Sequence, residues 1–452
     1  MAAVAPFRAV RYNPEKIARL EDVITPPYDI ISAEDGEELR QKNPYSMINL
    51  DLRNTSQDET EDDGRYVEAR DRFLSWQEEE IVVRDAEPAI YLYAIDYQHP
   101  NGKLLTRKGM VCLVGLAEFS EGIVRPHEKT FAGVISDRLK LMETCEAQFS
   151  KVFSIYSDPQ QEVIRTLEQA QESAPVLQVK DGNANSHSLW RVTDTAAIAK
   201  VRQFFADKPV YIADGHHRYT TALELRRRAL AANPDLPADD PRNFMMMYLC
   251  GCEDPGLSVL PTHRLVRWPG QMSTDALSDK LRTALTVTEV TQSSRESLLA
   301  ETFNRMDEAA AGGLPAFGVY HAGENRALLL ASTEATLASL ADKPEVLRSL
   351  DVVALSEVLI GRCLGLSHEQ RAKGKLVSYL SDPDEALDAA VKESVSDNGH
   401  TPLLFLLNPT KVEQVLRVAD SGEIMPHKST FFYPKILTGL LIRKLDEAAP
   451  LL

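Results

Sequence analysis

The sequence predicts a mixed α/β (α+β) protein, on three observations. Short apolar, strand-like runs alternate with helix-forming segments along the whole chain. In 452 residues, 44% are hydrophobic and 26% charged, the composition of an ordinary globular protein that can bury a large core. Around residues 209–232 a strand passes through a glycine turn straight into a helix. At about 150 residues per domain, this length suggests two or three units.

In chain order, Ser32 is placed to cap a short helix with Glu34 and Asp35 in its first turn. Residues 46–52 read as a strand, 65–79 as a helix and 89–97 as a strand. Asn101-Gly102 marks a hairpin turn into an apolar strand over 104–119. Helices are expected at 160–172 and 195–207, flanking strands at 176–180 and 189–192. Residues 209–213 form the short strand before the polar turn Asp214 to Arg218, and strong helix formers fill 219–232. Further on come strands at 244–252 and 257–266, helices at 273–284 and 296–311, and strands at 316–321 and 327–331. A helix over 347–364, a strand over 402–407, a helix over 411–419 and a closing helix over 433–445 complete the reading. Pro269-Gly270 and the polar stretch 394–401 suggest divisions into 1–268, 269–400 and 401–452, the last a segment returning to the site.

Charge and cysteine content narrow the function. The net charge is −17, from 67 acidic and 50 basic residues. That argues against non-specific nucleic-acid binding, which needs a basic face to displace counterions. A small anionic ligand stays compatible, because local groups can build a positive pocket inside an acidic protein. No apolar run approaches the roughly 18–20 residues of a membrane span, and Met1 to Pro6 lack the features of a secretory signal. The expected location is the cytoplasm, without a membrane partner; assembly into a homo-oligomer is left open. Five cysteines, Cys112, Cys145, Cys250, Cys252 and Cys363, are too sparse for a disulfide framework. Cys250-Gly251-Cys252 follows the run Phe244 to Leu249 and reads as part of a buried strand; no second pair completes a zinc site.

The chemistry centres on Asp214-Gly215-His216-His217-Arg218. A glycine turn entering a helix presents backbone N–H groups and the positive end of the dipole to an anion, phosphate above all. Gly215 permits close approach, Arg218 can grip phosphate oxygens in pairs, and His216 and His217 add donors or a proton carrier. Asp214 can hold magnesium or accept a hydroxyl proton. The plain alternative is a polar surface turn. A second cluster is Arg125-Pro126-His127-Glu128-Lys129-Thr130. It is echoed at Pro426-His427-Lys428-Ser429-Thr430-Phe431, with Lys435 close behind. Both copies offer a lysine and a hydroxyl, suited to phosphate as point charge and donor. Weaker candidates are Pro26-Pro27-Tyr28-Asp29, the pair His263-Arg264, and Asn43-Pro44-Tyr45 as a turn with a packed tyrosine. Asp137 and Arg138 read as the capped opening of a helix.

Together with Phe7 to Pro14, these segments occur in an order that resembles a bacterial family catalogued as domain of unknown function number 1015. The Asp-Gly-His-His-Arg motif followed by a helix more distantly resembles the ParB/sulfiredoxin-like fold, and within it the free-serine kinases. That resemblance implies a nucleotide-phosphate core within residues 1–268, with large inserted and C-terminal α/β elements and an accessory region at 269–400. It implies phosphotransfer between an adenine nucleotide, ATP or ADP, and serine or O-phosphoserine, with magnesium. Run in reverse, the reaction would make serine from phosphoserine, a link to serine biosynthesis. In this reading Glu128 or His127 takes the hydroxyl proton and Asp214 holds the metal. Gly215, His216, His217, Arg218, Lys129 and Thr130 cradle phosphates, while His263, Arg264, His427, Lys428, Ser429 and Lys435 contact substrate. Glu128 and Asp214 stand 86 positions apart (214 − 128), a gap that inserted strands and helices fill. Two other functions compete: a nucleotide-binding ParB-like regulator, against which the acidic balance counts, and a phosphoserine phosphatase needing no nucleotide.

Overall fold

The computed structural model describes residues 2–51, 63–373, 376–396 and 399–450, and it is mixed α/β as expected. Its contacts divide it into two compact units. Unit 1 comprises Met1–Pro126, Thr130–Leu257 and Pro434–Leu452; unit 2 comprises His127–Lys129 and Ser258–Tyr433. The expected divisions at 268 and 400 both fall inside unit 2, because the strands there, His263–Pro269 and His400–Leu407, pair with each other.

Unit 1 is built on a nine-stranded mixed sheet. Phe244–Gly251 lies in its middle, antiparallel to Leu104–Gly115 and parallel to Val152–Tyr156. Every residue of Phe244–Gly251 is buried, so its sequence is continuously apolar, as a strand covered on both faces requires. Cys250 is buried inside this strand, and neither it nor Cys252 is part of a disulfide. Beyond Leu104–Gly115 the sheet continues through Ile90–Gln98, Ser186–Val192 and Leu177–Lys180. On one face, Val163, Leu167, Ile198, Val201, Tyr219 and Leu223 pack with Leu92, Cys112, Val114 and Met247. A second core sets Tyr66, Phe73 and Trp76 of helix Gly64–Glu78 among Tyr12, Val23, Met47 and Ile442.

Unit 2 carries a six-stranded, wholly antiparallel sheet in the order Leu285–Val290, Arg326–Ser332, Ala316–His321, His400–Leu407, His263–Pro269, Val377–Leu380. Helix Arg295–Ala310 lays Leu298, Leu299 and Met306 among Tyr320, Leu404 and Leu406.

Several elements differ from expectation for identifiable reasons. Residues 46–52 do not pair as a strand. A 3-10 turn forms at Met47–Asn49, with the N–H groups of Asn49 and Leu50 donating to the Ser46 and Met47 carbonyls; residue 52 lies outside the described residues. The run 257–266 is two strands, Ser258–Leu260 and His263–Pro269, which join different partners on either side of Pro261. The helix expected over 347–364 is broken into Glu345–Arg348, Asp351–Ala354 and a π-helical stretch Leu355–Cys363. The closing helix at 433–445 is absent. There Pro434 lacks an N–H and Gly439 takes φ +96°, while Thr438 bridges to Thr25, Ile442 to Val10, and Arg443–Lys444 pairs with Ala147–Gln148. Its apolar residues Ile436, Leu437, Leu440, Leu441 and Ile442 are all buried, without the one-sided stripe of a surface helix. Elsewhere local signals held: Ser32 caps helix Ala33–Lys42 through a reciprocal bond with Asp35, and Tyr45 packs edge-on against Trp76. No helix among the described residues is long and apolar enough to cross a membrane.

Asp137 and Arg138 do not open a helix but lie buried within Ala132–Cys145. The Arg138 guanidinium pairs with Asp51 at 3.1 Å and Asp137 at 2.6 Å, and stands 4.1 Å from the centre of the Tyr28 ring. Removing one member of such a buried network leaves the others desolvated and uncompensated. Arg138→Met is therefore expected to cost about 3–5 kcal/mol of stability. Urea unfolding of the variant checks this; an unchanged midpoint would show that the network does not support unit 1.

Candidate functional site

In unit 1 the strand Val210–Asp214 lies between Val124–Arg125 and Val152–Tyr156, and its register with the latter shifts between Ile212 and Asp214. Such an irregularity re-aims side chains at a strand end. Gly215 follows with φ +95°, a conformation that L side chains rarely adopt, and helix His216–Ala232 begins at once. A Cβ on Gly215 would lie 2.9 Å from Arg218 Nε, so the arginine occupies the space the glycine leaves. No side chain caps this 17-residue helix, whose first N–H groups and dipole form an anion-favouring end.

The first helical turn carries the predicted residues. His216 and Arg218 are buried and His217 is half-buried. The backbone N–H of Phe131 donates to His217 Nε2 at 3.0 Å, and the two rings stack, so the imidazole is held as an acceptor at Nε2. Thr130 immediately precedes this contact and is half-buried. Arg218 donates through Nη1 to the Lys151 carbonyl and sits 3.2 Å from Asp214 Oδ2 through Nη2. Burial opposes its charge, but Asp214, Asp29, Tyr28 and Asp51 outweigh that and raise its pKa. Lys435 brings Nζ to 3.5 Å from the same Asp214 oxygen. Asp214 is thus held between two cations.

Three further charged residues surround Arg218, and no motif marks them. Asp51 is buried, and burial raises its carboxyl pKa against the opposing pull of Arg138 and Arg218. With Arg138, Gln148, Ser150 and Arg218 it lines a cavity of about 30 Å³, room for one water. Lys151, 1% exposed, donates from Nζ to the Leu437 carbonyl at 3.0 Å. Burial, with Arg218 second, pulls its pKa down to about 7, while Asp51 resists. The available sequence signal was a lone lysine abutting the buried strand Val152–Tyr156.

Unit 2 holds the remaining predicted residues, and it brings the two Pro-His segments together. Met425 N–H donates to the His127 carbonyl at 2.9 Å, and His127 Nε2 lies 3.1 Å from Thr430 Oγ1. Glu128 Oε1 is 2.9 Å from His427 Nδ1 and accepts from the Lys428 N–H at 3.1 Å. Arg264 donates to the Lys428 carbonyl at 2.7 Å and lies over the Tyr379 ring, which meets His427 edge-on. Ser429 is buried and donates to the Pro426 carbonyl. Lys129 is exposed. His263 is fully buried and accepts from the Leu407 N–H; burial, then Arg264, pulls its pKa to about 4, so it is neutral. Among the described residues, no group of three or more His, Cys, Asp or Glu gathers as a metal site.

Residues 4–353 match the model of the family described as protein of unknown function DUF1015, and the chain belongs to that family. No curated protein matches it by sequence. Among solved structures it is similar to a free serine kinase in complex with AMP, at 11% identity and a TM-score of 0.35, over 70% of this chain and 85% of that one. It is also similar to a conserved hypothetical protein from Pyrococcus furiosus, at 13% identity and a TM-score of 0.34, over 73% and 94%. A third is C-terminally truncated SbnI from Staphylococcus aureus, at 11% identity and a TM-score of 0.32, over 73% and 86%.

The depressed Lys151 pKa has a consequence for stability. The unfolded chain keeps this proton up to the ordinary value of 10.5, whereas the folded chain releases it near 7. Between those values the unfolded state binds more protons, so this residue makes stability rise with pH; below 7 its penalty is fully present. Lys151→Met should flatten that rise and exceed the wild type at pH 6 by ~1 kcal/mol or more. Urea unfolding at pH 6, 7.5 and 9 measures both; parallel curves for the two proteins would contradict the assignment.

Proposed function

We propose that this member of the family is a phosphotransferase that binds nucleotide phosphate at Asp214–Arg218 and works between an adenine nucleotide and serine or O-phosphoserine. The observation that carries the reading is the uncapped helix entered through a left-handed Gly215, with Arg218 and Lys435 both drawn to Asp214. Positive groups and a helix N-terminus at one place suit the oxygens of a di- or triphosphate. Phosphoryl transfer is mostly positioning and charge neutralisation, so one such site can serve either direction. The serine half of the reading rests on the resemblance of the Asp-Gly-His-His-Arg motif to that of the free-serine kinases.

Magnesium fits the donor set to the extent that it is commonly held by one or two carboxylates together with substrate phosphates. Asp214 would hold it, and the ion would neutralise charge on the transferring group. Arg218 and Lys435 orient Asp214. In the forward direction the serine Oγ bonds to the γ-phosphorus, the bond to the β-phosphate oxygen breaks, ADP leaves, and the serine proton passes to a base. The resemblance assigns that base to Glu128, with His127 next in line.

Incubation of the protein with O-phosphoserine and ADP should yield serine and ATP. Serine released without ADP would support the simple phosphatase instead, and salt-sensitive DNA binding without turnover the regulator. Arg218→Lys, which keeps the charge but loses the planar fork, should weaken ADP binding by roughly 10-fold or more, given about 1.5–3 kcal/mol for charge-assisted hydrogen bonds. It is preferred to Arg218→Ala, which would strip a buried cation from Asp214. Glu128→Gln and Asp214→Asn should each lower turnover by about 100-fold, the scale of a positioned acid–base group. Glu128→Gln should still bind ADP, whereas Asp214→Asn should require more magnesium. Full activity in all three variants would place the chemistry elsewhere.

A further inference from the structure

Lys151 is buried, belongs to no sequence motif and plays no part in the reaction as proposed. Yet it contacts one cation of the phosphate site and the chain segment that carries the other, through different atoms. Its carbonyl accepts from Arg218 Nη1. Its ammonium donates to the Leu437 carbonyl at 3.0 Å, two residues beyond Lys435, whose own ammonium meets Asp214. We propose that Lys151 is the positioning residue of the phosphate site, setting Arg218 through its backbone and Lys435 through its side chain, and adding a buried charge behind both. This rests on the phosphate-binding reading of Asp214–Arg218.

The geometry gives each contact a distinct job. The carbonyl contact fixes one arm of the guanidinium and leaves the other toward Asp214. The ammonium contact ties the segment after Pro434, which has no helical hydrogen bonds of its own, to the strand Val152–Tyr156. Charged and titratable groups acting on the Lys151 ammonium are Arg218, which repels it, and Asp51, which attracts it. Asp51 is in turn influenced by Arg138, Asp29 and the Ser150 hydroxyl, and Arg218 by Asp214, Asp29 and Tyr28. With burial already holding the ammonium near its titration point at about 7, an anion at Arg218 favours the charged form. Anion affinity then falls as pH rises through neutrality.

The test measures calorimetric binding of pyrophosphate and of ADP, with magnesium, to the wild type, Lys151→Met and Lys151→Arg at pH 6, 7.5 and 9. Ionisation of the ligand is common to all three proteins and cancels in their ratios. The wild type should bind about 10-fold more tightly than Lys151→Met at pH 6, since one pKa unit of coupling is a factor of ten. That ratio should shrink to about 2-fold by pH 9, where the lysine is neutral and only its hydrogen bond remains. Lys151→Arg, charged throughout, should restore affinity and hold it at pH 9. A folded Lys151→Met with wild-type affinity at every pH overturns the positioning role while leaving phosphate binding intact. A constant ratio across pH does the same for the charge. A wild type that binds neither ligand overturns the phosphate reading and this inference with it.

Discussion

The guanidinium of Arg218 is buried, and a charge in that position persists only if surrounding groups replace the water it has lost. Much of the local architecture of unit 1 meets that demand. Gly215 has no side chain, which leaves the space beside Nε open. The irregular register at Ile212 and Asp214 ends the strand so that the Asp214 carboxylate meets Nη2, while the neighbouring chain turns the Lys151 carbonyl toward Nη1. Asp51 and Asp29 supply further negative potential.

The same demand accounts for the form of the C-terminal segment. A helix would spend its carbonyls on its own N–H groups. In an extended path those carbonyls are available to buried cations. Arg107, enclosed between the rings of Phe153 and Tyr248, donates to the Pro434 carbonyl, and Lys151 donates to that of Leu437. Two buried positive side chains of the sheet are thus solvated by backbone that forgoes regular structure, and Lys435 is carried to Asp214 between them.

Unit 2 uses its charges differently. The contact between the Pro-His-Glu and Pro-His-Lys segments centres on Glu128, which takes both the His427 ring and the Lys428 N–H. Lys428 takes φ +56°, a left-handed turn that aims its N–H at the carboxylate. Arg264, lying over Tyr379, closes the turn from the carbonyl side. Nearby His263 is neutral and packed near the Phe303 ring, so neighbours in sequence differ sharply in electrostatic character.

Local rules were enough for the elements whose stabilising partners are near in sequence. The capping pair Ser32 and Asp35, the turn at Asn101-Gly102, the continuously apolar strand through Met246 and the strand–glycine–helix junction at Asp214–Arg218 were all legible, because each is decided within a few residues. The motif residues of the candidate site were legible for the same reason. Asp51, Arg138 and Lys151 were not, since a charged residue reads as solvated until a distant partner encloses it; the partners of Lys151 lie 67 and 286 positions away. The closing segment looked helical because helix formers and apolar residues dominate it. Only tertiary structure could reverse that, by offering its backbone stronger partners, in Arg107, Lys151 and the strands of unit 1, than a helix would have given it.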